Sequence, residues 1–145
     1  MKLRIKKLNE KAKLPFRATE ESAGLDLFAC LDESLTLKPN QRTVVTTGIS
    51  IELPAGYCAF IYPRSGLAVK NGITLSNCVG VIDSDYRGEI CVGLINQSDE
   101  DYLIAQDERI AQMDIQNVEL SEIEEVENLS ETKRNTGGFG SSGRF

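Results

Sequence analysis

Short segments with the apolar pattern of β-strands recur along the chain, and they limit its fold more than any other feature. Five of them carry β-branched runs or apolar residues at every second position: KLRIKKL, RTVVTTGISIEL, YCAFIY, EICVGLINQ and RIAQMDIQNVEL. Turn-forming sequences such as KPNQ, LPAGY and NQSDED separate them. Many short strands at near-regular spacing predict an all-β chain, an antiparallel jelly-roll-like sandwich or barrel.

Two segments are candidates for helices. RSGLAVK follows Pro63 and predicts one short helix whose first amides are unpaired. ELSEIEEVENLSE has apolar residues at every third position, but its glutamates fit an acidic linker equally well. A length of 145 residues suits one domain with a substantial core. We expect a β domain over residues 1–118 and a flexible C-terminal arm over residues 119–145.

Composition and charge exclude several classes of protein. No apolar run approaches the roughly 20 residues that span a bilayer, and MKLRIKKLNEKAKLP lacks the apolar core of a signal peptide. We therefore expect a cytoplasmic protein with no membrane partner. The net charge of −6 argues against non-specific nucleic-acid binding, which needs a basic face. The four cysteines form no C-x-x-C pair, which favours small buried thiols over a disulfide or zinc framework.

The chain contains no histidine. It therefore cannot use a Ser-His-Asp or Cys-His nucleophile, nor build a typical zinc site. Any catalysis must rely on carboxylates, arginines, hydroxyls, backbone amides or a metal carried by the substrate.

Two stretches in the first half of the chain contain candidate binding groups. In ESAGLDLFA, Asp26 points to the opposite face of a strand from its two leucine neighbours. In YPRSGLAVKNGI, Arg64 and Ser65 stand at the predicted helix start, where a phosphate would meet a guanidinium, a hydroxyl and unpaired amides. Each stretch alone also fits an ordinary surface.

A third stretch, LSNCVGVIDSDYRGEI, has the features of a hairpin with a carboxylate pair. DYRG has the residues of a type I turn, so the apolar runs on both sides are predicted to pair with each other. Asp83 follows two apolar residues and would be a general base if it is partly buried. Asp85 fits a capping residue of the turn.

The C-terminal stretch RNTGGFGSSGRF is rich in glycine. Its glycines spell G-x-G-x-x-G, but a dinucleotide or phosphate loop needs a strand before and a helix after it, and neither is expected here. The segment is instead predicted to order on binding, with amides and hydroxyls on phosphates and Phe139 on a ring.

Together with RIAQM at residues 109–113, these stretches resemble the five motifs of the trimeric deoxyuridine triphosphatase (dUTPase) family, over nearly the whole chain. The family motifs are AG-x-D-L-x-A, PRSGLA, G-x-I-D-x-D-Y-R-G, RIAQ and RG-x-GGFGSTG. The resemblance implies a homotrimer with active sites between subunits, which hydrolyses dUTP to dUMP and pyrophosphate with Mg²⁺ on the triphosphate. It also implies that the enzyme limits uracil incorporation into DNA and supplies dUMP for thymidylate synthesis.

The resemblance also implies roles for single residues. Asp83 is the catalytic residue that activates the water attacking the α-phosphorus, and Tyr86 packs under the sugar. Asp26 holds the metal indirectly, through water, and Phe139 closes on the base. The uracil-binding positions are Asn77, Gly80, Val81 and Ile82. The phosphate-binding positions are Arg64, Ser65, Gly66, Gln112, Arg134, Gly140, Ser141 and Ser142.

Two departures and two alternatives accompany the resemblance. Asn135 stands where the family commonly has glycine, and Asn tolerates a left-handed backbone best among other residues. Ser142 replaces the usual threonine. A deoxycytidine triphosphate deaminase shares the fold, but we find no glutamate and serine-arginine motif of that family. A non-catalytic nucleotide sensor would have lost Asp83 or the glycine-rich stretch, and the chain keeps both.

Overall fold

The computed structural model describes residues 2–139 and residue 141. Its strands are β1 (Arg4–Lys7), β2 (Leu25–Phe28), β3 (Leu35–Leu37), β4 (Arg42–Thr46), β5 (Ile49–Glu52), β6 (Tyr57–Tyr62), β7 (Ile73–Leu75), β8 (Gly80–Ile82), β9 (Cys91–Asn96), β10 (Tyr102–Ile104) and β11 (Arg109–Asn117). One helix, α1 (Ser65–Asn71), lies between β6 and β7. The all-β prediction is confirmed.

The strands form four antiparallel sheets. The largest has the order β2-β11-β6-β8, and the next has the order β4-β9-β7. Two-stranded sheets pair β1 with β5 and β10 with β3. No sheet of the described residues closes into a barrel, so the chain has a jelly-roll fold of separate sheets around one core.

Alternation along the strands places the core between the sheets. On the four-stranded sheet, Leu27, Ile61 and Met113 point inward and are almost fully buried. From the second sheet, Leu94 and Ile73 meet them with no exposed surface. Fully burying a side chain of this size contributes about 2 kcal/mol, which is why register is strongly specified in these strands.

Several elements match the sequence prediction closely. YCAFIY is β6 residue for residue. RTVVTTGISIEL divides into β4 and β5, because Gly48 lies between them with a φ of 68°. RSGLAVK forms α1, which ends where Gly72 adopts a left-handed φ of 68° and its amide donates to the carbonyls of Ala68 and Leu67.

The predicted hairpin around DYRG is wrong. β8 pairs with β6, whereas β9 pairs with β4 and β7 in another sheet. The turn begins two residues earlier, where the amide of Tyr86 donates to the carbonyl of Asp83 at 3.2 Å. Ile90 is fully buried, and its amide donates to the carbonyl of Ile49, so the chain after the turn passes beside the start of β5 before it enters β9.

The segment after β11 contains no helix within residues 119–139. Its apolar side chains, among them Leu120 and Ile123, are exposed, so the linker alternative is the better description. Cys30 and Cys58 are buried thiols as expected, but Cys78 and Cys91 are exposed. No helix in the described part of the chain has the length and apolar content that crossing a bilayer would take.

Candidate active site

A cleft of about 330 Å³ opens on the outer face of the four-stranded sheet, beside the start of α1. It brings together five of the predicted site residues: Asp26, Arg64, Ser65, Gly66 and Gln112. The strand register explains part of this grouping, because Gln112 of β11 lies directly opposite Asp26 of β2 and the two side chains share a face.

Asp26 is the centre of the cleft's charge network. Its Oδ1 accepts from Nε of Arg64 at 3.0 Å, and its Oδ2 accepts from Nη1 of Arg109 at 3.1 Å. Only 12% of the Asp26 side chain is exposed. Arg64 also donates to the backbone carbonyl of Arg109 at 3.1 Å. Arg64 therefore lines the cleft and Arg109 is held beside it through Asp26, and each guanidinium keeps further N–H donors for an anion.

Arg109 was not predicted as a site residue, and a β-bulge brings it there. The pairing of β11 with β2 shifts by one residue between Arg109 and Ala111. Ile110 and Ala111 are consecutive, yet both are buried in the core. The extra residue returns Arg109 to the face of Asp26. The one sequence signal was the apolar pair in RIAQ, which breaks the alternation of the strand.

Gln112 is held in the cleft by two neighbours. Its Nε2 donates to the carbonyl of Pro63 at 2.9 Å. Its Oε1 lies where a side chain on Gly24 would start, since a Cβ there would be 2.5 Å away. Glycine at position 24 therefore leaves room for the amide of Gln112.

A second group of predicted residues lies at β8 and the turn that follows it. Val81, Ile82, Asp83 and Tyr86 line a hollow of about 210 Å³. Asp83 is exposed in the single chain, not partly buried as its role as a base would require. Tyr86 is 44% exposed, and its hydroxyl donates to the carbonyl of Glu89 at 3.0 Å.

Strand β8 is an edge strand in the described sheet, since β6 is its only neighbour there. Its outer edge therefore presents backbone N–H and C=O groups in alternation. Asn77 lies just before it, in a tight turn where the amide of Val79 donates to the Asn77 carbonyl at 2.7 Å. This edge can pair with a planar ring that has alternating acceptors and donors.

A groove of about 450 Å³ also borders Asp83, and it is lined by the thiol-bearing residue Cys58. Burial, and then the negative charge of Asp83 and Asp114, raise the pKa of Cys58 above its ordinary value. The group therefore stays a thiol near neutral pH, which argues against a role as nucleophile.

The two groups of residues do not meet within one chain. Asp26 lies in the same cross-strand row as Tyr62 of β6. Ile82, immediately before Asp83, pairs with Ala59. The Cα atoms of the two aspartates are thus separated by three strand spacings, about 14 Å, and by about 13 Å along the strands. One phosphate group cannot be within hydrogen-bond distance, about 3 Å, of both.

Of the predicted residues in the glycine-rich stretch, the structure describes Arg134, Phe139 and Ser141, and none of these three hydrogen-bonds to either group. Phe139 is fully exposed, and Arg134 donates to the carbonyl of Gly137 at 2.7 Å. Ser141 is exposed and hydrogen-bonds through its amide to Gly138. Gly140 and Ser142 lie outside the described residues. Asn135 has a left-handed φ of 41°, a backbone conformation that Asn tolerates better than other non-glycine residues do.

A hydrogen-bonded pair supports the turn that precedes Arg109. The hydroxyl of Tyr102 donates to Glu108, whose other carboxylate oxygen accepts from the amide of Ala105 at 3.0 Å. Burial, and then the hydrogen bond and charge of Glu108, raise the pKa of Tyr102 to about 12. Folding therefore favours the protonated tyrosine.

This pair leads to a prediction about alkaline stability. Near neutral pH, Tyr102→Phe should lower the free energy of unfolding by about 1 kcal/mol, because one hydrogen bond is lost. Between pH 10 and pH 12 the unfolded chain releases the Tyr102 proton while the folded chain retains it. The difference in the free energy of unfolding between the wild type and Tyr102→Phe should therefore shrink. Urea unfolding of both proteins across this range measures the difference, and a constant difference would contradict the assignment.

Comparisons with known proteins show which family the chain is similar to. A model of the dUTPase family matches residues 10–143. A deoxyuridine 5'-triphosphate nucleotidohydrolase of Hydrogenobaculum sp. is 56% identical over 143 residues, which cover 99% of each chain. That of Nautilia profundicola is 53% identical over 144 residues, 99% of this chain and 100% of its own. The solved structure of a G164S mutant of the Staphylococcus bacteriophage 80alpha dUTPase with dUpNHpp is 28% identical to this chain and has a TM-score of 0.86. The match covers 98% of each chain.

Proposed function

This chain belongs to the dUTPase family and is an enzyme that hydrolyses dUTP, and we propose that a water molecule activated by Asp83 attacks the α-phosphorus. The products are dUMP and pyrophosphate. The convergence of Arg64, Ser65, Gly66 and Gln112 on one cleft with Asp26 supports the binding of a triphosphate, because it gathers cationic and neutral donors of the kind that a triphosphate requires.

Asp83 acts as the general base. Its carboxylate accepts a proton from the attacking water as the bond to phosphorus forms, and the pyrophosphate leaves on the opposite side. Asp83 is exposed in the single chain, so the partial burial that favours a base must come from bound nucleotide and from a neighbouring subunit. Because the raised pKa of Cys58 keeps its thiol protonated, Cys58 does not compete with the water as the nucleophile that attacks the phosphorus.

Base and sugar are selected at the edge of β8. The backbone of residues 80–82 offers donors and acceptors to the O4, N3–H and O2 edge of uracil, and Asn77 adds an amide. A cytosine amino group would place a donor where an acceptor is required, which leaves buried groups unpaired. The ring of Tyr86 lies beneath the sugar and leaves no space for a 2′-hydroxyl. A narrow pocket excludes the methyl group of thymine.

The triphosphate is held by Arg64, Ser65, Gly66 and Gln112, with magnesium. No cluster of three or more metal-ligating side chains occurs in residues 2–139 and 141, so Mg²⁺ fits as an ion bound to the phosphates and not in a protein cage. Asp26 suits the water-mediated role, because each carboxylate oxygen that accepts from an arginine has a further lone pair for a metal-bound water. When bound, Mg²⁺ neutralises phosphate charge and polarises the phosphoryl oxygens.

The complete site includes more than one copy of the chain. Asp83 lies far across the sheet from Arg64 and Asp26, yet the proposed mechanism requires all three residues to approach one triphosphate. This separation supports a site that is shared between copies of the chain. We infer the homotrimer implied by the family resemblance, with each site formed between subunits. No nucleic acid or membrane takes part.

Residues 119–145 serve as a C-terminal arm that reaches a neighbouring site, apart from the β domain of residues 1–118. No hydrogen bond joins residues 119–139 to residues 2–117, which supports this division. Phe139 closes on the uracil, while Arg134, Gly140, Ser141 and Ser142 close on the phosphates.

The enzyme works in the cytoplasm, where thiols such as those of Cys30 and Cys58 remain reduced. Hydrolysis there limits the incorporation of uracil into DNA. It also supplies dUMP for thymidylate synthesis.

A pyrophosphate-release assay tests the proposal. With Mg²⁺, the protein should release pyrophosphate from dUTP and far more slowly from dTTP, dCTP and UTP. Ammonia release from dCTP is measured in parallel. Deamination would identify the rival enzyme class, and binding of dUTP without pyrophosphate release would identify a nucleotide sensor.

A further inference from the structure

Tyr86 is held by more than its own turn, and the position of its ring is set by the residues that follow it. The amide of Tyr86 closes a turn onto the carbonyl of Asp83. Nη1 of Arg87 donates to the carbonyl of Ser84 at 2.7 Å and to that of Tyr86 at 3.0 Å. The backbone that carries the ring is therefore fixed on both sides.

The hydroxyl end of the ring is anchored to the main chain. It donates to the carbonyl of Glu89 at 3.0 Å. That carbonyl belongs to a well-held segment, because the Glu89 carboxylate accepts from the amide of Gly48 at 2.7 Å and the next residue, Ile90, is fully buried. The phenol is thus tied at its far end to a segment that is held by the residues at the start of β5.

The ring crosses directly over Gly88. A Cβ placed on Gly88 would lie 2.3 Å from Oη, 2.4 Å from Cζ and 2.9 Å from Cε2 of Tyr86. A Cβ atom does not come this close to a non-bonded heavy atom, so any side chain at position 88 would displace the ring. The backbone of Gly88 is not in the left-handed region, so the space it leaves is the reason a glycine is required.

We propose that Gly88 is a positioning residue that sets the preference for deoxyribonucleotides, by allowing the Tyr86 ring to lie flat between its turn and the carbonyl of Glu89. The inference rests on the proposed function, in which the face of the ring excludes the 2′-hydroxyl. Gly88 itself has no side chain to contact the substrate, so it acts only through the ring.

The variant Gly88→Ala tests this role by the ratio of kcat/KM for dUTP to kcat/KM for UTP. The ratio should fall by about tenfold or more, since a displacement near 1 Å is enough to lose selective contacts. The melting temperature and the oligomeric state should stay close to those of the wild type, because the half-exposed ring can swing outward. A wild-type ratio in a folded Gly88→Ala protein would overturn the inference.

A double-mutant cycle separates this role from general disturbance of the turn. In a Tyr86→Ala background, Gly88→Ala should change the ratio no further, whereas equal losses in both backgrounds would contradict action through the ring. If Gly88→Ala fails to fold, Tyr86→Phe provides the test, because it removes only the anchor to Glu89 and should lower the ratio by a smaller factor. An unchanged ratio for Tyr86→Phe would then count against the inference. Wild-type protein that releases no pyrophosphate from dUTP would instead contradict the proposed function.

Discussion

Asp83→Asn should bind nucleotide but turn it over about a thousandfold more slowly, because a general base contributes between a hundredfold and ten-thousandfold and the amide cannot accept the proton. The substitution preserves the shape of the side chain and the turn, which depends on the backbone carbonyl of Asp83. The measurement is the rate of pyrophosphate release at saturating dUTP, beside calorimetric titration with dUpNHpp. Retained binding with lost turnover is the expected result.

Asp85→Asn is the matched control for this substitution. Asp85 lies two residues away, is also exposed and lines the same groove of about 450 Å³. No hydrogen bond to its side chain occurs in the described structure, and the proposed mechanism gives it no role. Its turnover should remain near the wild-type value. If the two variants lose turnover equally, the cause is the loss of local negative charge and not the loss of a base.

A chain truncated after Thr132 should lose at least about a hundredfold in kcat/KM while it remains folded. The truncation removes Arg134, Phe139 and the serines that are proposed to close over the triphosphate, and loss of a single preorganised donor in other enzymes costs a hundredfold to a thousandfold. Closure of such a segment also excludes bulk water from the phosphates. Pyrophosphate release by full-length and truncated protein measures the loss.

The oligomeric state of the truncated protein determines what its loss of kcat/KM means. Residues 119–139 make no hydrogen bonds to residues 2–117, and β11 ends at Asn117, so the truncation leaves every strand intact. Size-exclusion chromatography and thermal melting should therefore match the full chain. If the truncated protein loses the oligomeric state of the full chain instead, the segment is structural, and its proposed role in closing the site fails.

The sequence predicted strand positions well but not all of their partners. β6 coincides with YCAFIY at both ends, because this apolar run is bounded by Gly56 and Pro63. A period of two specifies which face of a strand is buried, but it does not specify which strand lies beside it. β8 and β9 were therefore assigned to one hairpin, although they belong to different sheets. Three strands of three residues each, β3, β7 and β10, were too short for any periodicity to reveal.

The cleft was predicted in part. The motifs indicated Asp26, Arg64 and Gln112, and these residues meet where the register of β2 and β11 places them. Arg109 escaped prediction because a regular strand would have pointed it toward the core. The pattern DYRG placed Gly88 in a turn, but it did not indicate the contact between Gly88 and the ring of Tyr86.

The bulge at Ile110 and Ala111 makes the length of β11 as important as its composition. Deleting either residue would barely change the hydrophobic content of the strand and would restore uninterrupted pairing with β2. The same deletion would rotate Arg109 from Asp26 into the apolar interior, where an unpaired guanidinium is not tolerated. Natural variation in this region is therefore expected to exchange one residue for another and not to shorten or lengthen the strand, so that insertions and deletions are confined to the loops around it.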